Sequence, residues 1–183
     1  MTKTETVDTV LAFWFEESAP EQWFEKDNVF DATIRNRFEP TIISSLKGEK
    51  DSWADMATGC LALIILLDQF TRNIYRDTPR AFSGDEMALA LSLRCLDRGY
   101  LGDADANQRH FMLMPLMHSE DLAIQDMSLP LFEIHTNART LDYAQRHRDI
   151  IARFGRFPHR NAILGRPSSS EETEFLTQPG SSF

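Results

Sequence analysis

Apolar positions along this chain recur at intervals of three and four, and no stretch keeps the strict alternation of a half-buried strand between turn residues. That spacing predicts an all-α protein. A first helix over 6–16 puts Val10, Phe13 and Trp14 on one side and stops at the turn of Ala19 and Pro20. A second is expected over 28–46, with a break near Pro40, because proline lacks the N–H and crowds the preceding turn; Gly48 ends it. The third, over 53–76, is apolar all the way round between Leu61 and Leu67, as a helix enclosed by others should be.

Ser83-Gly84-Asp85-Glu86 has capping-box spacing and opens a helix that runs to Arg98 and ends at Gly99. The next segment starts at Asp105 or Asn107, carries Pro115 and reaches about Gln125, with a further piece around 129–132; one kinked helix and two short ones fit equally. An amphipathic helix follows over 137–154, with Gly155 at the left-handed cap position, then a loop over 156–167. Ser168, Ser169 and Ser170 with Glu171 and Glu172 open a short last helix ending near Leu176, before a loose tail over 178–183. The sum is a compact helical bundle of about seven to nine helices in a single domain, 1–183, with no low-complexity linker to divide it.

Composition narrows the partners. With 42% hydrophobic and 26% charged residues the chain is ordinary globular material, and a net charge of -9 disfavours a nucleic-acid backbone or an anionic membrane. The longest apolar run, 60–67, is far shorter than the roughly 20 residues a bilayer span needs, and 1–10 lacks the basic and apolar regions of a leader, so a cytoplasmic location is expected. Cys60 and Cys95 are well separated in sequence, inside predicted helices and outside any C-x-x-C, and read as reduced, packed thiols. No nucleotide, hydrolase or zinc-protease motif occurs, and no two histidines stand three or four apart, so neither cofactor nor metal is expected.

The chemistry-bearing residues are polar side chains where apolar ones belong. At about 100° per residue, Asp68, Gln69, Arg72, Asn73 and Arg76 share one arc of the third helix, directly after its all-apolar turns. Glu120 projects from the apolar stripe of Leu113, Leu116, Met117, Ile124, Met127 and Leu131, where a carboxylate must find a cation or donors. His118 points away from that stripe and, with Glu120 and His159, is a candidate for proton transfer. Between 139 and 166 stand seven arginines against two aspartates, a formal +5 that leaves -14 elsewhere. Arginine's planar fork suits carboxylate or phosphate, and Arg156, Arg160 and Asn161 fall in one short proline-containing loop. That anion can equally be internal, with Asp68, Glu120 and Asp121 absorbing the charge.

The runs LLDQFTRNIYR (66–76), FMLMPLMHSEDLAIQ (111–125) and HRDIIARFGRFPHRNAILGR (147–166), followed by Ser-Glu-Glu and Phe-Leu, resemble the bacterial family of the domain of unknown function 924 over nearly the whole chain. The resemblance implies a tetratricopeptide-like all-helical fold and no established activity, although the 34-residue tetratricopeptide consensus is absent. By position, the family's recurrent polar residues correspond to Asp68, Gln69, Arg72, Asn73, His118, Ser119, Glu120, His147, Arg153, Arg156, His159, Arg160 and Asn161. Where the family pattern has proline after Gln-Phe, this chain has Thr71, so a kink there is not carried over.

Two functions fit these residues. In one, the motifs converge on a pocket where Asp68, Gln69, Arg72, Asn73, Arg156, Arg160 and Asn161 hold a small anionic ligand and His118, Glu120 or His159 moves a proton, as a binding protein or a modest hydrolase. In the other, the polar cluster is scaffolding inside a helical protein–protein interaction module. Whether a reaction is catalysed, and the oligomeric state, have no signature in the sequence.

Overall fold

In the computed structural model residues 4–182 are described; Met1, Thr2, Lys3 and Phe183, which begin the N-terminal stretch and end the tail discussed above, lie outside the described residues. Among the described residues there is no strand. The α-helical segments are α1 (Val7–Ala12), α2 (Asn28–Leu46), α3 (Ala57–Ile64), α4 (Thr71–Ile74), α5 (Asp85–Asp97), α6 (Ala106–Met117), α7 (Leu122–His135), α8 (Ala138–Phe154) and α9 (Ser170–Phe175). A π turn over Ile65–Phe70 joins α3 and α4 into one rod, in which every residue from Gly59 to Thr71 is buried. The all-apolar run therefore is the centre of the fold, with α1, α2, α5 and α6 packed around it. Trp14, in the π turn Phe13–Glu17 that continues α1, meets Phe70 and Phe111 edge-on, each at 5.4 Å between ring centres, which ties this segment to the rod and to α6. Helices α6, α7 and α8 pack in succession, and a smaller apolar cluster of Ile150, Ile151 and Phe157 with Phe154 and Phe175 seats the C-terminal segment on α8.

Several boundaries differ from the pattern reading. Helix α2 runs unbroken through Pro40. Phe30, Ile34, Phe38 and Ile42 bury one face on both sides of it, and the carbonyl that proline leaves unpaired belongs to exposed Asn36. The third helix begins at Ala57 rather than at position 53, because Asp51–Asp55 forms a 3-10 turn that packs on it; a Cβ on Gly59 would stand 2.0 Å from the Trp53 carbonyl oxygen. Ser83 does not cap α5: its hydroxyl donates to the Arg80 carbonyl, and the N-cap is Gly84, without a side-chain bond. Gly84 is required for space, since a Cβ there would lie 2.2 Å from the Leu67 carbonyl oxygen in the π turn. That contact sets Asp85 beside the rod.

Of the two arrangements that the segment from position 105 onward allows, the structure has two helices. The break is not at a proline: α6 passes through Pro115 and α7 through Pro130, and the chain turns at His118 to Asp121 instead. Buried Gln125 donates to the Met117 and Ser119 carbonyls at 2.7 and 2.8 Å, which satisfies the end of α6, while Asp121 caps α7. The tail is less loose than expected, as Ser181 is buried and donates to the Leu176 carbonyl.

Candidate functional site

The end of the rod, the first turn of α5, the α6–α7 turn and the loop after α8 bring together Asp68, Arg72, Asp85, His118 and Arg160. Asp68 lies in the π turn and is wholly buried. Its Oδ1 accepts from His118 Nδ1 at 2.7 Å and faces Arg72 Nη1 at 3.0 Å, and its Oδ2 accepts from Gln69. Burial would raise the Asp68 carboxyl, but the Arg72 charge, His118 and Gln69 overrule it and hold the group well below the usual carboxylate range. An ionised carboxylate only accepts, so His118 carries its proton on Nδ1. Burial lowers the His118 pKa, Asp68 opposes this, and the net direction is down, towards a neutral ring. Nε2 makes no hydrogen bond among the described residues, and the His118 side chain keeps 16% of its exposure.

Asp85 bridges the two arginines. Its carboxylate meets Arg72 at 3.0 and 3.1 Å and Arg160 at 3.2 Å. Arg160 also donates to the His118 carbonyl at 3.1 Å, and its guanidinium lies between the rings of Phe82 and Phe157, 4.7 and 4.6 Å from their centres. Burial and the neighbouring Arg72 bring Arg160 down to about 10, still a cation at neutral pH. Its Nε–H is buried and has no acceptor among the described residues. His147 and His159 stand close by, the former 6.2 Å from His118 between ring centres.

The remaining expected ligands separate into other networks. Glu120 is in the α6–α7 turn, not mid-helix, and is 27% exposed; Arg166 holds it bidentately at 2.7 and 2.9 Å, and the Phe157 amide donates to it at 2.8 Å. Desolvation would raise Glu120, but Arg166 and that amide keep it lowered. Arg166 also donates to Asn161, whose amide reaches Ser168 and Glu172, and Glu172 pairs with Arg156 at 2.6 and 2.8 Å. Arg156 and Asn161 are thus parts of a clasp that fastens α9 and its loop, and Arg153 pairs with Glu171 outside it. Asn73 and Arg76 turn to Asp31 on α2, because the π turn breaks the spacing that put them on the arc of Asp68. Gln69 is buried between Asp68 and the Met114 sulfur. Asp85 was missed: its arginine partners lie 13 and 75 residues away, and first-turn acids are common enough to carry no signal.

Comparison with known proteins bears on this geometry. A family model described as bacterial protein of unknown function (DUF924) matches residues 10–180. The chain belongs to the DUF924 family. A solved structure of a protein of unknown function from Agrobacterium tumefaciens, ATU0120, is 36% identical, covering 93% of this chain and 96% of its own, with a TM-score of 0.88. The all-α DUF924 fold is therefore shared with an independently solved relative. No protein of curated function matches the chain. Among the described residues no helix is long and apolar enough to cross a membrane, and no group of three or more His, Cys, Asp or Glu side chains is placed to hold a metal ion.

Proposed function

We propose that Asp68, His118, Arg72 and Arg160 form a proton-transfer centre for a small carboxylate or phosphate compound, with His118 as general base. The observation that carries this reading is the His118 ring, fixed through Nδ1 by a buried carboxylate and without a hydrogen bond at Nε2 among the described residues on a partly exposed side chain; burial favours its neutral form. A base oriented in this way takes a proton at Nε2 while the carboxylate stabilises the resulting imidazolium. Placement beside a π turn supports the reading, since such turns concentrate at functional sites. Arg72 and Arg160 supply the anion seat, and Asp85 occupies it in this structure as a stand-in for a ligand carboxylate.

The test replaces the occupant. Asp85→Asn leaves two arginines facing each other, so the variant should melt below the native protein, and inorganic phosphate should restore it beyond sodium chloride of equal ionic strength. At a hundredfold excess over Kd the restoration is about 2.7 kcal/mol. A loss that phosphate and acetate repair no better than salt would remove the ligand seat. It would favour the second reading, a helical interaction module with a scaffold network, which the pairing of Arg72, Arg153, Arg156, Arg160 and Arg166 to carboxylates of this chain supports.

A further inference from the structure

We infer that Cys60 and Cys95 form an oxidation site that closes to a disulfide when a peroxide-class oxidant reaches it, pinning α3 to α5. This inference rests on nothing in the proton-transfer reading. The two thiols are 35 residues apart in sequence, yet their sulfurs are 3.2 Å apart, inside the roughly 3.5–4.0 Å of an ordinary non-bonded contact. Both are free, and both are buried. Cys95 donates its S–H to Cys60, and Cys60 donates to the Leu91 carbonyl at 3.4 Å. Cys60 is on α3 and Cys95 on α5, two helices packed against each other, so the partners are presented to each other before any chemistry occurs.

Both side chains are closed off in the resting fold, and the nearest opening is a depression of about 420 Å³ lined by Leu96, Leu101, Met127, Leu131 and His135 as well as Cys95, so a small oxidant such as hydrogen peroxide reaches the sulfurs when these side chains part. Cys60, once it gives up its proton and keeps the bond from the Cys95 S–H, attacks a peroxide oxygen as the thiolate: an S–O bond forms, the O–O bond breaks, and the departing hydroxide takes a proton to leave as water. The neighbouring thiol then attacks that sulfur, the S–S bond forms, the S–O bond breaks, and a second water leaves with the remaining proton. Two thiols and one peroxide become one disulfide and two waters. The sulfurs must approach by about 1.2 Å to reach bonding distance. Closing a loop of this length constrains the unfolded chain and should raise Tm by roughly 5–10 °C.

The experiment uses the folded full chain and hydrogen peroxide. The expected result is a loss of the mass of two hydrogens, a non-reducing peptide map that joins the Cys60 and Cys95 peptides within one chain, and a rise in Tm reversed by dithiothreitol. Thiols still fully alkylatable after unfolding, oxygen added to either cysteine without a cross-link, or a cross-link between two chains would each overturn it. Cys95→Ser and Cys95→Ala should both lose the oxidant-dependent rise; a rise that survives in either also overturns it.

Discussion

Buried neutral histidines make this fold acid-labile, and the size of the effect follows from the structure. Burial lowers His110 to about 4, His147 to about 3 and His159 to about 4, against an ordinary value of 6.5. Each imidazole is fixed in place: His110 Nδ1 lies 3.2 Å from the Thr140 hydroxyl, His147 Nδ1 donates to the Tyr143 carbonyl at 2.7 Å, and the His159 ring lies 5.6 Å from that of Phe157. Because the folded pKa values are depressed, the unfolded chain binds more protons below its own histidine pKa, so stability is complete above 6.5 and falls as pH drops towards 4. At about pH 5 the loss is about 2 kcal/mol for each ring and roughly 6 for the three, comparable with the whole stability of roughly 5–15 kcal/mol expected for a domain. Glu172, held at about 2 by Arg156, adds a loss of the same sign only at still lower pH. Urea unfolding across about pH 8 to pH 5 measures this, and the slope should approach about 4 kcal/mol per pH unit in the lower half of that range. A free energy that stays level to pH 5, or resonances of His110, His147 and His159 titrating near 6.5 in the folded protein, refutes the assignment of neutral buried rings.

Two further expectations concern stability. Arg166→Met should cost more than Glu120→Gln, because Arg166 serves Glu120, Asn161 and the Phe157 carbonyl while Glu120 is only part of that set. Each loss should be roughly 1–3 kcal/mol, and a double-mutant cycle in urea should show coupling of about 1–2 kcal/mol; additive losses would deny the pair. Gly84→Ala should lose about 1–3 kcal/mol by pushing α5 off the Leu67 carbonyl, whereas Gly99→Ala, with nothing within 4 Å but a φ of +69, should lose about 1 kcal/mol or less. Equal melting shifts for the two glycines would contradict the close approach at Gly84.

Helices were legible wherever an apolar face repeated, and the all-apolar turns of 61–67 marked the central rod correctly. Boundaries failed where packing outweighed a local rule. Pro40 is carried through by the buried residues on either side, and the apolar stripe across the α6–α7 turn concealed the cap that Asp121 offers. The stripe placed Glu120 mid-helix for the wrong reason, yet its need for a cation was legible because a half-buried carboxylate must be met, and Arg166 meets it. Asp68, Arg72, His118 and Arg160 were each marked by an unexpected charge or imidazole, and the fold does gather them. Counting arginines could not separate an external anion from an internal one. That distinction lies in contacts such as Arg160 to Asp85, 75 residues apart, which no local spacing encodes.

Nitrogen-resolved NMR of the histidine side chains, recorded near neutral pH with and without inorganic phosphate, decides whether His118 is a neutral base held through Nδ1 beside an anion seat. The expected spectrum has a neutral His118 with its proton on Nδ1 and an Nε2 resonance that moves as phosphate is added to the Asp85→Asn protein. A charged ring, a proton on Nε2, or an Nε2 resonance indifferent to phosphate would contradict it.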